Sequence, residues 1–173
     1  MLRTFLALAA FLAAAPAWAV DSDGSRPDDK LTPGEVWSTN KDEICARPTS
    51  DRRSVSELLK VAARRAYGIT KPLGGWCGNL GPDGKPGCEI DHRCALGVGC
   101  DNRPGSIANL WPQRPDGPYG YHVKDRCEAR AHEALCAGEV TPVQAQAIFL
   151  RGDWRANCEA AFPDLKAHPA WNG

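Results

Sequence analysis

Apolar residues recur at helical spacing in three stretches of the chain. Ser54-Val55-Ser56-Glu57 reads as a capping box that opens a helix running to about Tyr67. Its stripe is Val55, Leu58, Leu59, Ala62 and Ala66, and Gly68 follows as the stop. A second helix is expected from about Tyr121 to Ala137, ended by Gly138, with Val123, Cys127, Ala131, Ala134 and Leu135 facing inward. A third begins at Thr141-Pro142-Val143-Gln144, which combines a proline at the first helical position with a capping Gln. Its stripe is Val143, Ala147, Leu150, Trp154 and Cys158. Residues 68–88 read as a Gly/Pro loop. Between the first two helices only Cys88–His92 and Ile107–Trp111 look like strands, and the Gly- and Asn-rich segment between them suits a hairpin. The expected fold is α+β: a small hairpin-helix motif inside a mainly helical single domain.

The N-terminus departs from this pattern. Arg3, the apolar run Phe5–Ala15 and Ala17-Trp18-Ala19 give the three parts of a secretory signal peptide over residues 1–19. Residues 20–40 are polar and rich in Asp, Pro and Gly, and are expected to be a flexible lead-in to a domain over residues 41–173. No later apolar stretch is long enough to span a bilayer. The expected location is therefore secreted or periplasmic. All 8 cysteines lie beyond the signal sequence, an even number in an exported chain, which points to four disulfides. Zinc is the competing use, but no CxxC pair occurs. On the order of a hundred pairings are open to eight cysteines. Cys77–Cys88 and Cys94–Cys100 are the candidates for local loops.

The formal net charge is +0, so the chain carries no basic coat of the kind that binds nucleic acid over a whole surface. Basic residues are instead concentrated locally, in Arg52, Arg53, Lys60, Arg64 and Arg65, a set that reads first as a solvated helix face. The strand-loop-strand-helix order brings four polar residues toward one point. Asp91 and His92 end the first strand, Asn109 lies on the second, and His122 opens the helix. Trp111 reads as core, and Lys124 and Asp125 as a solvated first turn.

At these residues the chain resembles the HNH nucleases of the ββα-metal superfamily. It is most similar to small exported bacterial HNH-type proteins with the pattern "E-x-DHLIPLELGG-x-N-x-x-NLWP", then "H-x-KD-x-LE" and "VCxG…AQ…DW". The matching residues are Glu89, Asp91-His92, Gly99, Asn102, Asn109 to Pro112, His122, Lys124-Asp125, Glu128, Cys136, Gly138, Ala145-Gln146 and Asp153-Trp154. Upstream, Thr32 to Gly34, Ile44-Cys45 and Tyr67-Gly68 also fit, so the likeness runs from about Leu31 to Cys158. Each motif is weak alone; their order and spacing carry the resemblance. Ala95 and Gly97 stand where the pattern has Pro and Glu, and Arg93 and two cysteines are additions.

The resemblance implies a metal-dependent, nonspecific nuclease acting on DNA or RNA. Phosphodiester hydrolysis needs an activated water, charge stabilisation and help for the leaving oxygen. The resemblance makes His92 the general base and Asn109 the residue that orients its ring. It makes Asp91 and His122 ligands of a divalent ion, Mg²⁺ or Mn²⁺ with Zn²⁺ as the alternative. Arg126, one turn past His122, is a candidate phosphate contact, and the N–H groups at the start of the same helix are another. A reading of a different class is a catalytically inactive secreted binding module that keeps the fold.

Overall fold

The computed structural model describes residues 23–69, 77–78, 87–101 and 103–171. The expected signal peptide, Asn102 and most of the Gly/Pro loop lie outside the described residues. Among the described residues, five α-helices and one hairpin follow in the order α1 Lys41–Ala46, α2 Glu57–Ala66, β1 Glu89–His92, β2 Leu110–Gln113, α3 Tyr121–Ala137, α4 Pro142–Leu150 and α5 Trp154–Ala161. The strands pair antiparallel, with Glu89 opposite Gln113, Asp91 opposite Trp111 and His92 opposite Leu110. This is a mixed fold of helices around a small two-stranded sheet.

Local chemistry sets most of the helix ends. Gly138 ends α3 at φ 81, where a left-handed residue releases the chain. Thr141 and Gln144 form the reciprocal capping box of α4, with Pro142 at its start. The cap of α2 is Ser56, not Ser54: its hydroxyl accepts the Leu59 N–H, and the helix begins at Glu57. Short α1, absent from the sequence reading, is capped by Asn40, whose side chain accepts from the N–H groups of Asp42 and Glu43.

Two of the three expected stripes are placed differently. The long third helix is two helices, because Gly152 turns at φ 60 and Asp153 caps a new one at Trp154. Within α4 the buried face is Ala145, Gln146, Ile148 and Phe149, and Val143 is exposed. On α2 the buried residue is Ala63, while Leu58 is 82% exposed. Only the α3 stripe is buried as expected.

The main core joins Ile44 of α1 to Val123, Ala131 and Leu135 of α3, Ile148 and Phe149 of α4, and Trp154 of α5. A second, smaller cluster of Ala63, Ile90 and Leu110 lays α2 on the hairpin. All eight cysteines are paired: Cys45–Cys136 ties α1 to the end of α3, Cys127–Cys158 ties α3 to α5, and Cys77–Cys88 and Cys94–Cys100 close the two local loops. No helix among the described residues is long and apolar enough to cross a membrane.

The described part of the expected flexible lead-in is bound to the domain. Thr32 is fully buried, its hydroxyl bonded to the Tyr67 hydroxyl at 2.8 Å and to the Leu110 carbonyl at 3.1 Å. Val36 bridges to Cys100, and the N–H groups of Trp37 and Ser38 donate to the Gly99 carbonyl. Gly99 sits at φ +93, and a Cβ there would strike Ile44 and the Ser38 carbonyl. A polar composition hid an extended arm whose backbone finds its partners in the loop after β1.

Candidate functional site

The end of β1, the start of β2 and the first turn of α3, which carry the candidate residues, meet through the strand pairing and Lys124. Asp91 and His92 are the last two residues of β1, and His122 is the second residue of α3. Asn109 lies just before β2 rather than on it. The connection from Arg114 to Gly120 is tight: Gln113 Nε2 donates to the Tyr119 carbonyl at 2.8 Å, and a Cβ at Gly120 would collide with the Pro115 carbonyl. That turn delivers α3 back against the hairpin.

Asn109 is fully buried, and its amide grips both backbone groups of one residue, Cys94. Its Oδ1 accepts the Cys94 N–H at 2.9 Å and its Nδ2 donates to the Cys94 carbonyl at 3.0 Å. Its own carbonyl accepts the Arg93 N–H at 2.8 Å. The amide therefore fixes the chain two residues after His92; it acts on the loop, where the sequence reading had it acting on the ring. Arg93, one of the additions, is buried and donates to the carbonyls of Thr32 at 2.6 Å and Leu150 at 3.0 Å, so it serves the scaffold. His92 is buried at 7% exposure, Trp111 is fully buried as core, and His122 and Arg126 are exposed on α3. The His122 ring lies against Tyr121, with centroids 4.3 Å apart.

Lys124 overturns its reading as a solvated residue. It is 1% exposed. Its Nζ donates to Asp91 Oδ2 at 2.7 Å, to the His92 carbonyl at 2.7 Å and to Glu128 Oε1. Burial opposes its charge, but the Asp91 and Glu128 carboxylates outweigh burial and hold the ammonium protonated. The signal was present in the sequence: Lys124 is in helical phase with Cys127, Ala131 and Leu135, and Glu128 follows at the i+4 position.

Two further acids belong to this place. Burial pushes the Glu89 carboxyl up, and Asp91 and Asp125 push it further, with Arg53 and His122 pulling back. Burial likewise raises Asp125, with Asp91 adding to it and Lys124, His122 and Arg53 opposing. Arg53, from the set read as a solvated face, is thus within electrostatic range of both acids. Other members of that set are engaged elsewhere: Arg52 lies over the Trp37 ring at 4.7 Å, and Lys60 pairs with Glu57 at 2.6 Å.

The donor types are those of a hard divalent cation: carboxylate oxygen, one imidazole, and two acids raised first by burial and then by the neighbouring Asp91 charge, which a cation would offset. Asp91 Oδ1 accepts the His92 N–H at 2.8 Å and Oδ2 takes Lys124, so an ion would share this carboxylate through its remaining lone pairs. Among the described residues no group of three or more His, Cys, Asp or Glu side chains is arranged to hold a metal. The start of α3 offers phosphate less than the sequence suggested. The N–H groups of Tyr121, Val123 and Lys124 already donate to the carbonyls of Arg114 and Gly120. No family model, curated protein or solved structure matches this chain.

Proposed function

We propose that the protein is an exported nuclease of HNH type that hydrolyses phosphodiester bonds of DNA or RNA with a divalent ion. The observation that carries the reading is the joining of Asp91, His92 and the first turn of α3 through one buried hub at the end of an antiparallel hairpin. The order of hairpin then helix supports the reading as a ββα-metal motif. Four disulfides support an oxidising location outside the cytoplasm.

In this reading the His92 imidazole accepts the proton of the attacking water. Its burial limits competing solvent at the ring. Asn109 holds the backbone N–H and carbonyl of Cys94 and so the backbone exit from His92. Asp91 and His122 would hold the ion, Mg²⁺ or Mn²⁺ first and Zn²⁺ second. When bound it supplies Lewis-acid polarisation of the phosphate and stabilises the leaving oxygen. Arg126 and Arg53 are the exposed cations available to the substrate's phosphates.

One observation favours the second reading, an inactive binding module: the charge of Asp91 is already matched by Lys124. Plasmid nicking and RNA digestion by the oxidised protein decide between them. Cleavage abolished by EDTA and restored by Mg²⁺ or Mn²⁺ is expected. An unchanged plasmid and intact RNA at every metal concentration leave the binding module.

A further inference from the structure

Lys124 has three N–H donors, and the structure gives it three acceptors. Two of them belong to consecutive residues, the side chain of Asp91 and the main-chain carbonyl of His92. The third, Glu128, lies one turn along the same helix and holds the ammonium from behind. Salt-bridging a single carboxylate would be enough for charge balance. Here one nitrogen on α3, two residues after His122, instead ties both members of the Asp91-His92 pair to the helix that carries His122.

We propose that Lys124 is a positioning residue for the nuclease centre, setting the aim of the Asp91 carboxylate and the backbone from which the His92 ring projects. The inference rests on the nuclease reading. It separates Lys124 from an ordinary buried ion pair, because it predicts losses in catalysis and ion binding beyond any loss of fold. Partners of this indirect kind typically contribute about 10–100-fold to metal affinity or activity.

The test compares Glu128→Gln, which leaves the bonds of Lys124 to Asp91 and His92, with the double variant Lys124→Met plus Glu128→Gln, which removes them without stranding Glu128 as a second unpaired buried charge. Each is made as the full oxidised chain and checked for fold by circular dichroism. Glu128→Gln is expected to keep kcat within about threefold of the parent. The double variant is expected to lose about 10–100-fold in kcat with KM nearly unchanged. In the absence of nucleic acid its Mn²⁺ affinity, read by electron paramagnetic resonance, should fall about tenfold, and the His92 ring signals in NMR should broaden or shift while the indole signals stay. Equal kcat, Mn²⁺ affinity and His92 spectra in the two variants overturn the inference alone. If the double variant does not fold, Lys124→Arg keeps the charge but its planar guanidinium cannot make three bonds from one atom; parental kcat there also overturns it. A parent that cuts neither DNA nor RNA overturns the nuclease reading and the inference with it.

Discussion

Glu35 and Asp153 are shifted in the opposite direction from Glu89 and Asp125. All four are at least partly desolvated, Glu89 and Asp125 while keeping an exposed side, and desolvation alone raises a carboxyl. At Glu35 the N–H of Arg103 donates at 2.9 Å and its Nε at 2.6 Å, and the net shift is downward. At Asp153 the Tyr119 hydroxyl and Arg26 each donate at 2.6 Å and two N–H groups of α5 are capped, and the shift is again downward. Glu89 and Asp125 face Asp91 and rise. The first pair is built into the scaffold, each acid surrounded by donors. The second pair lies beside Asp91, and the relief it gets from Arg53, His122 and, at Asp125, Lys124 is smaller than burial and like charge together.

The largest effect should come from breaking the charged side at its reacting group. His92→Ala is expected to lower cleavage by about 10²–10⁴-fold, the usual share of a general base, with the circular dichroism spectrum unchanged. Parental rates on both DNA and RNA would remove His92 from the chemistry.

Next comes the scaffold side. Cys127–Cys158 spans 31 residues and holds α5, the helix that Asp153 caps, against α3. Replacing both cysteines by Ala should cost about 2–4 kcal/mol in urea denaturation. Cleavage measured well below the new midpoint should stay within about threefold. A collapse of activity in a folded protein would show that the two regions are not separable.

A smaller contrast compares the acids themselves. Asp153→Ala removes a helix cap and should cost about 1–2 kcal/mol. Asp125→Asn removes a charge repelled by Asp91 and should leave stability equal or slightly higher, read from the same urea midpoints. A greater loss at Asp125 than at Asp153 would reverse the assignment of the two regions.

Legibility in the sequence followed the same division. The α3 stripe, its Gly138 stop and the α4 capping box were readable because local pattern and packing agree there. So were the hairpin and both local disulfides. Hydrophobic identity does not give the buried faces of α2 and α4: Leu58 and Val143 are apolar yet exposed, while Gln146 is buried because its amide bonds the carbonyls of Ser38 and Val98. The break at Gly152 was masked by Trp154 and Cys158, which happen to continue the helical spacing. At the site, Asp91, His92 and His122 were named from motif order. Lys124 was missed because a charged residue near a helix start is usually wet, and its three acceptors come from separate parts of the chain.

The smallest expected effect is on pH dependence, and it tests the comparison as a whole. Asp125 is raised in the folded state by burial and Asp91, against Lys124, His122 and Arg53. A raised carboxyl binds its proton in the folded state before the unfolded chain does, so its contribution is fully present below the ordinary carboxylate value and is lost as pH rises through the raised one. Glu89 acts in the same direction, and Glu128, pushed up to about 7 chiefly by burial, carries the flank furthest toward neutrality. Glu35 and Asp153 are lowered, so their contribution is present above the ordinary value and is lost as pH falls through the lowered one. Stability should therefore peak on the acid side of neutrality and decline on both flanks. Urea midpoints collected from about pH 3 to about pH 8 in EDTA measure the curve. Asp125→Asn should make the neutral flank shallower without changing the acid flank, and Asp153→Asn should make the acid flank shallower without changing the neutral one. Mn²⁺, by supplying the opposite charge at the hairpin end, should raise the neutral flank of the parent and displace the peak upward in pH. If Mn²⁺ instead shifts the acid flank, or if Asp125→Asn leaves the neutral flank unchanged, the acids at the hairpin end are not the unmatched charge.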